Sequence, residues 1–200
     1  MSQRYGLVID LDRCIGCHTC TIACKMENAL DQGSGIRVET VGGPRHDTPN
    51  GCYPGLSMHY LPIPCMHCDN PPCVPSCPAG AIYRRQDGVV LIDQDKCDGC
   101  ELCLEACPYE VLVRDAAKGR VWKCTLCADR VDQGLEPFCV LCCEMNAISF
   151  GDLESPTSHV SRVKGEKQAS LLRPELGTGP AVYYCPPKAP PAQAPIATLH

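Results

Sequence analysis

The sequence predicts an α+β fold of two small interleaved units, with a loop insertion and an extended C-terminal tail. Three observations predict it. Nineteen of the 200 residues are cysteine. Leu, Ile, Val and Phe together are only about a fifth of the chain, near the limit below which an apolar core is hard to build. Short strand-like runs and tight turns recur between the cysteines, so groups bound by cysteine are expected to replace much of the core.

Composition also excludes several classes of protein. The chain contains no run of about 18 apolar residues, so no direct membrane span is expected. The first ten residues have neither the apolar core of a signal peptide nor a twin arginine. A net charge of −5 and an aromatic content of 5% argue against nucleic acid as a partner.

The elements follow from local patterns. A strand is predicted at Tyr5–Asp10, before the first cysteines, and another at Ala147–Phe150, after the last ligands. Two hairpins are predicted between them, one with an Asp-Gly turn and one around Lys118-Gly119. Their strands are 81–85 with 89–92, and 111–113 with 120–122. Helical turns are expected at Thr21–Leu30 and Glu101–Ala106.

Sixteen cysteines fall into four groups of four, and Cys52, Cys142 and Cys185 remain outside them. The groups are Cys14-x2-Cys17-x2-Cys20-x3-Cys24, Cys65-x2-Cys68-x4-Cys73-x3-Cys77-Pro78, Cys97-x2-Cys100-x2-Cys103-x3-Cys107-Pro108 and Cys124-x2-Cys127-x11-Cys139-x3-Cys143.

Three interpretations of this spacing compete. Disulfides suit a secreted chain with an even number of cysteines, and here the number is odd. Zinc needs two cysteine pairs that close one tetrahedron, which does not account for three cysteines on one tight loop. Iron–sulfur chemistry does, because three thiolates of a loop hold three corners of a cubane while the fourth cysteine reaches a neighbouring cluster. The spacing therefore predicts iron–sulfur clusters.

The arrangement is that of the two-cluster bacterial ferredoxin unit, present twice. Because only residues 78–96 separate groups two and three, we expect these groups to exchange their fourth cysteines, and groups one and four to do the same. Cluster one then takes Cys14, Cys17, Cys20 and Cys143. Cluster two takes Cys65, Cys68, Cys73 and Cys107. Cluster three takes Cys97, Cys100, Cys103 and Cys77. Cluster four takes Cys124, Cys127, Cys139 and Cys24.

This pairing predicts the domain organisation. The inner ferredoxin-like unit is 65–107, and the outer unit is 1–24 plus 108–150. The ligand-free stretch 25–64, punctuated by Gly and Pro, is predicted to be a partner-docking insertion. The ligand-free residues 151–200, ending in a proline-rich run, are predicted to be an extended tail.

The chain resembles the four-cluster iron–sulfur subunits of the DMSO-reductase superfamily of molybdenum and tungsten oxidoreductases, such as polysulfide, thiosulfate, tetrathionate and arsenate reductase subunits. The resemblance covers roughly residues 3–185. The segments that carry it are Cys14-Ile-Gly-Cys-His-Thr-Cys-Thr-Ile-Ala-Cys-Lys-Met-Glu-Asn28, Pro64-Cys-Met-His-Cys-Asp-Asn-Pro-Pro-Cys-Val-Pro-Ser-Cys-Pro78, Ala106-Cys-Pro-Tyr109, Lys123-Cys-Thr-Leu-Cys-Ala-Asp-Arg130, Leu172-Arg-Pro-Glu175 and Gly177-Thr178.

The resemblance implies four [4Fe–4S] clusters, since all sixteen ligand positions are cysteine. It also implies a molybdopterin catalytic subunit (Mo- or W-bis-MGD) as partner, and a quinol-oxidising membrane anchor subunit or a soluble carrier as the second partner. One departure from the family is Glu144, where the fourth motif usually has proline, with an additional Cys142 before Cys143. Cys143 is the expected ligand because it keeps the x3 spacing of the other groups.

Other polar residues near the motifs have simpler interpretations. His18 and His67 lie inside cysteine motifs whose ligand positions are filled, and are expected to be spacers near the surface. Four clusters add negative charge, so some cations are expected to face the sulfurs. The candidates are Lys25, Lys96, Lys123, Arg84 and Arg130, and the sequence does not select among them.

The sequence has no nucleophile–base pair, dinucleotide loop or phosphate cradle, so no catalytic residue is predicted. Four cubanes in a small chain predict an electron wire, and the chain is expected to be an electron-transfer subunit rather than an enzyme. The alternatives are a stand-alone polyferredoxin, a zinc-binding interaction module, and an iron–sulfur subunit of a formate dehydrogenase or hydrogenase. Substrate and compartment stay open, the latter between cytoplasm and transport with a signal-bearing partner.

Overall fold

The computed structural model describes residues 3–45 and 47–188. Its ten strands are β1 Tyr5–Asp10, β2 Ile36–Val41, β3 His59–Pro64, β4 Ile82–Arg84, β5 Val90–Ile92, β6 Val113–Asp115, β7 Arg120–Trp122, β8 Ile148–Asp152, β9 Ser170–Leu171 and β10 Val182–Cys185. Its helices are α1 Thr19–Glu27, α2 Leu102–Ala106, α3 Ala128–Val131, α4 Phe138–Leu141 and α5 His159–Glu166, with a 3₁₀ helix at Pro174–Leu176. The mixed α+β class is confirmed.

Strand β1 is the centre of the largest sheet, whose order is β8-β1-β10-β9. It pairs antiparallel with β8, from Tyr5 opposite Asp152 to Ile9 opposite Ile148. Its consecutive residues Leu7, Val8 and Ile9 are all buried, as expected for a strand covered on both faces. The predicted strands before the first cysteine group and after the fourth are thus confirmed, and they are sheet neighbours.

The two predicted hairpins are confirmed as separate two-stranded sheets, β4 with β5 and β6 with β7. Gly88 occupies the first turn with a φ of 87°, a conformation that favours glycine over other residues. Each hairpin follows one ligand loop and precedes the next, so it sets the distance between consecutive cysteine groups.

The insertion contains a third hairpin, in which β2 and β3 pair from Ile36 opposite Pro64 to Val41 opposite His59. Its base is buried at Ile36 and Ile63, whereas Tyr53 near its tip is 81% exposed. Because β3 ends at Pro64, this hairpin leads directly into the second cysteine group. The insertion is therefore anchored to the cluster-bearing part of the chain.

The prediction of an extended tail from residue 151 is wrong for residues 151–185. This segment forms α5, β9 and β10, and β10 lies parallel to β1 with Leu7 opposite Val182. The run Val182-Tyr-Tyr-Cys185 supplies apolar side chains to a sheet edge that β1 would otherwise expose, and this burial offsets the cost of ordering the segment. Most of the proline-rich run, from residue 189, lies outside the described residues.

The principal core is a mixture of apolar side chains and cysteines. Eight buried cysteines belong to it, and a further set of half-buried cysteines packs against the same cluster of side chains. Across residues 3–45 and 47–188, no helix combines the length and the hydropathy needed to cross a bilayer.

Candidate iron–sulfur sites

The sixteen motif cysteines come together in the four combinations predicted from spacing, here called sets one to four after the clusters they are expected to hold. Three sets each line one cavity. Set one (Cys14, Cys17, Cys20, Cys143) lines the first cavity, set four (Cys24, Cys124, Cys127, Cys139) the second and set two (Cys65, Cys68, Cys73, Cys107) the third.

Set three is recognised by electrostatic contact. The thiol of Cys103 interacts with those of Cys100 and Cys97 from its own loop and with that of Cys77 from the preceding group. Cys77 thus crosses to the third group, while Cys107 crosses back to line the cavity of set two. This is the exchange of fourth cysteines expected of a two-cluster ferredoxin unit.

The ligand loops of groups one and three share one backbone conformation, as expected of an internal repeat. Gly16 and Gly99 have positive φ of 68° and 72°, and His18 and Glu101, two residues later, have 58° and 65°. The left-handed turns curl each loop so that successive cysteines face the same side. A side chain at Gly99 would also place Cβ 2.1 Å from the carbonyl oxygen of Gly119, so the loop needs glycine there.

Several cysteine sulfurs accept hydrogen bonds from main-chain N–H groups. Ala81 N–H donates to Cys77 Sγ at 3.3 Å, and Ala147 N–H donates to Cys143 Sγ at 3.2 Å, the same four-residue relation in both units. Leu126 N–H donates to Cys124 Sγ at 3.3 Å. Hydrogen bonds to sulfur are one of the means by which proteins stabilise iron–sulfur clusters and set their potentials.

Burial changes the acidity of these thiols. Desolvation raises the pKa of Cys20 and Cys103 to about 11, and that of Cys68 and Cys73 to about 12. Neighbouring thiols of the same set raise the pKa further, because each disfavours a second negative charge nearby. Four thiolates therefore need a cationic centre among them, and a bound metal group displaces their protons.

The residues fit a [4Fe–4S] group in donor chemistry, space and hydrogen bonding to the sulfurs. A cubane spreads its four thiolate ligands around a whole cluster instead of bringing them to one ion. Within the described ranges, no three His, Cys, Asp or Glu side chains are arranged to hold a single metal ion. The four-thiol cavities are instead bounded by cysteine sulfurs on several sides.

The sets lie close to one another in a fixed sequence. Cys139 of set four interacts electrostatically with Cys20 of set one. Cys124 of set four interacts with Cys65 of set two. Sets two and three share the inner unit through the crossing of Cys77 and Cys107. The contacts thus link set one to set four and set four to set two, and the crossing cysteines link set two to set three.

The two histidines inside cysteine motifs, His18 and His67, differ in their exposure to solvent. His18 is exposed at the start of α1, as expected. His67 is only 1% exposed, so the prediction of a surface position is wrong for this residue. Its Nδ1 accepts a hydrogen bond from Val90 N–H at 3.0 Å, and its Nε2 has no partner among the described residues. Burial, reinforced by the charge of Lys123, holds the pKa of His67 well below its usual range, so the ring is neutral.

Among the five candidate cations, Lys123 is the buried one, at 1% exposure. It lines the cavity of set two and lowers the pKa of Cys73 by its charge, against the larger effect of burial. Lys96, Arg84 and Arg130 instead pair with acidic side chains. Sequence reasoning could not select Lys123, since lysine also precedes the first cysteine of group three, at Lys96.

One further contact was not predicted from the sequence. Thr178, in the C-terminal segment, hydrogen-bonds to Tyr109 Oη at 2.7 Å and to the thiol of Cys68. The main chain around Thr178 is fixed to the loop of set two, since Asn70 N–H donates to Thr178 O at 3.0 Å and Ala181 N–H donates to Met66 O at 2.8 Å. The ligand-free C-terminal segment thus covers the set-two site.

The three cysteines outside the motifs have different environments. Cys185 is buried in β10. Cys52 is exposed in the insertion and is therefore not a packing residue. Cys142 is half-buried at the end of α4 and does not line the set-one cavity.

Comparison with known proteins agrees with this geometry. Residues 56–153 match the family of 4Fe-4S dicluster domains, and residues 5–26 match a 4Fe-4S binding domain. The B subunit of sulfite dehydrogenase from Allochromatium vinosum is 42% identical, over 92% of this chain and 83% of its own length. The B subunit of tetrathionate reductase from Salmonella typhimurium is 39% identical, over 91% and 72%, and that of polysulfide reductase from Wolinella succinogenes is 38% identical, over 94% and 97%.

The similarity extends over most of both sequences in each comparison, and the two domain matches together include all four cysteine groups. These findings confirm the resemblance and the electron-transfer role predicted from the motifs. This protein belongs to the family of iron–sulfur B subunits of oxidoreductase complexes and is an electron-transfer subunit.

Proposed function

We propose that the chain holds four [4Fe–4S] clusters, one in each cysteine set, and conducts electrons between a molybdopterin catalytic subunit and a second redox partner. The observation that carries this proposal is the convergence of four cysteines from two different groups on each site. Each bound cluster would supply reversible one-electron transfer. The chain itself supplies thiolate ligands, hydrogen bonds to sulfur, and spacing.

The order of the sites supports a wire with two ends. Sets one and three are terminal, and set four connects to set two across the boundary between units through the Cys124–Cys65 contact. Neither end contains a substrate-binding group that the sequence or the geometry identifies. Electrons therefore enter at one end and leave at the other, and the substrate is converted by a partner.

The surface around set one supports partner docking there. Ile15 and Met145, which line the set-one cavity, are 53% and 38% exposed. On the adjacent helices, Ile22 and Met26 of α1 and Leu141 of α4 are also exposed. Several exposed apolar side chains on one surface are typical of a protein–protein interface. We propose that the catalytic subunit covers this surface, and that a membrane anchor subunit or soluble carrier meets the opposite end.

Iron analysis and spectroscopy test the cluster content. The purified chain should contain about 16 iron atoms and 16 sulfides, with broad absorbance near 400 nm that bleaches on reduction. Low-temperature EPR of the reduced chain should give interacting cubane signals. A chain that holds zinc without sulfide would contradict the proposal.

Two substitutions test the exchange of ligands. Cys77→Ser should disturb the cluster held by the third-group cysteines, and Cys24→Ser the cluster held by the fourth group, because each of these cysteines crosses to the other loop. The measurement is the change in each cluster's EPR signal and midpoint potential. A disturbance confined to the residue's own group would overturn the assignment.

Co-purification separates the subunit from a stand-alone polyferredoxin. The native complex should contain a stoichiometric molybdenum- or tungsten-bearing chain, whose association weakens when Ile22 and Met26 are replaced by lysine. A monomeric, fully reducible chain without such a partner would favour the stand-alone carrier.

A further inference from the structure

Lys123 is unusual because its charged side chain has almost no access to water. It is 1% exposed and is the largest fully buried side chain among the described residues. Burying an ammonium is unfavourable unless an opposite charge compensates it. An ordinary solvated role, as at Lys96, is therefore excluded for this residue.

The immediate partners of Lys123 are neutral. Its Nζ donates to the carbonyl oxygen of Val90, in β5, and to that of Cys124 at 3.0 Å. Within residues 3–45 and 47–188, no carboxylate forms an ion pair with it, although thirteen such pairs involve other cations. Two carbonyl dipoles hold the ammonium in place but do not neutralise it.

The position of Lys123 identifies the compensating charge. Its side chain lines the cavity of set two together with Cys65, Cys73 and Cys107, and it interacts electrostatically with Cys73. Its main chain immediately precedes Cys124 of set four, which neighbours Cys65. The ammonium thus lies where the outer and inner units meet, beside the set-two site.

We propose that Lys123 sets the reduction potential of the set-two cluster, and thereby eases electron passage between the two units. The proposal rests on the proposed function. A four-thiolate cubane carries about −2 when oxidised and −3 when reduced, and burial by itself disfavours the more negative state. A fixed positive charge in a poorly solvated site favours that state and offsets the effect of burial.

The electron balance is simple. One electron leaves the set-four site and arrives at the set-two site, so the first is oxidised and the second reduced, with no bond made or broken. Lys123 transfers neither a proton nor an electron in this step. It is a positioning charge, which also links β5 of the inner unit to the loop of set four through its two hydrogen bonds.

The chain offers a matched control for a test. Lys96 and Lys123 each precede the first cysteine of a group, but the side chain of Lys96 is 64% exposed and paired with Asp93. Lys123→Met and Lys96→Met remove the same charge at equivalent motif positions. Because water screens an exposed charge, only the first change is expected to move a potential.

The measurement is an EPR-monitored redox titration of the full chain or its complex, with iron counted in each variant. Lys123→Met should lower the ratio of reduced to oxidised set-two cluster about tenfold at a fixed applied potential. Lys123→Arg, which keeps the charge, should restore the ratio, and Lys96→Met should leave every cluster unchanged. Full iron content with an unshifted potential in Lys123→Met, or an equal shift in Lys96→Met, would overturn the proposal.

Two further experiments test the proposal if Lys123→Met fails to assemble its clusters. Lys123→Gln retains a hydrogen-bond donor for the two carbonyls and should show the same loss of reducibility. In the wild-type chain labelled with ¹⁵N at lysine Nζ, ENDOR of a reduced cluster should detect one nearby ammonium nitrogen, and absence of that coupling would refute the assignment. A wild-type chain without cubane signals would instead refute the proposed function itself.

Discussion

Two adjacent cysteines illustrate how local geometry selects a ligand. Cys143 lines the set-one cavity and accepts a hydrogen bond from Ala147 N–H, whereas Cys142 is the C-terminal residue of the α4 turn and is absent from that cavity. In the other unit, Cys77 has the same relation to Ala81 N–H. The repeated hydrogen bond and the place in the cavity distinguish Cys143 from Cys142 and support the expectation that Cys143 is the ligand.

Replacing each of the two with serine gives opposite expectations. Cys143→Ser should remove one cluster or convert it to a three-iron cluster, lowering the iron content from about 16 to about 12 or about 15 atoms per chain, respectively. Cys142→Ser should leave both iron and EPR signals unchanged, since its sulfur is not in the site. Iron loss in Cys142→Ser with none in Cys143→Ser would reverse the assignment.

Prediction from sequence succeeded for the grouping of cysteines, which follows from their spacing. It failed for the burial of single polar residues, which depends on the segments that cover them. Three cysteines of each set come from one group, because a loop of close spacing is a local structure, whereas the fourth comes from another group. The different environments of Lys123 and Lys96, or of His67 and His18, depend on which distant segments cover them. Val90, which contacts both His67 and Lys123, comes from another part of the chain.

At the scale of elements, β10 makes the sheet depend on a segment that contains no ligand. It lies parallel to β1 and antiparallel to β9. Tyr184 in this strand is buried, and its hydroxyl donates to the carbonyl oxygen of Pro62 at 2.9 Å, in the insertion hairpin. Strand β10 thereby connects the four-stranded sheet to the insertion hairpin, and the residues just before it, which include Thr178, connect to the set-two loop.

Tyr184→Phe should therefore destabilise the loaded chain by about 1–3 kcal/mol, because the buried Pro62 carbonyl loses its donor. Tyr183→Phe is the matched control. Its ring packs under Lys164, with the ammonium 4.4 Å from the ring centroid, and the substitution preserves that contact. The midpoint of anaerobic thermal unfolding should fall by a few degrees for the first variant and stay nearly constant for the second. Equal midpoints for the two variants would disprove this role of the hydroxyl.

The sequence predicted the short elements better than it predicted their assembly. The strands β1 and β8 and the two hairpins between them were evident from alternation and turns. The parallel pairing of β1 with β10 joins residues about 175 positions apart, for example Leu7 and Val182, and no local pattern announces such a partner. The proline-rich run at the end of this region favoured the prediction of an extended tail, because such runs are typical of linkers.

For the whole molecule, bound clusters and apolar packing form one interior. Cysteines of all four sets belong to or pack against the principal core, together with Leu7, Ile36 and Val121. Without bound clusters the sites of sets one, two and four are lined by unligated thiols, and water or collapse of the surrounding side chains must take the place of the clusters. Stability and cofactor content should consequently be inseparable.

Anaerobic chelation of iron should abolish the cooperative thermal transition, because cluster binding contributes the folding free energy that the small apolar core lacks. Circular dichroism on heating, before and after chelation, is the measurement, with chelator and excess iron together as the control. A metal-free chain that still unfolds cooperatively would contradict this expectation.

Because the first cysteine group pairs with Cys143, the order of synthesis limits when each cysteine set can form. The loop around Cys14 leaves the ribosome first, yet its fourth ligand is made almost 130 residues later, and the strand β10 that flanks β1 later still. The cysteines of sets two and three are all made by Cys107, so these sets can begin to form while synthesis continues, although Lys123 and Thr178 reach the set-two site only later. Sets two and three should thus assemble before sets one and four. The set-one site, which the exposed Ile15 lines, should be among the last to be completed.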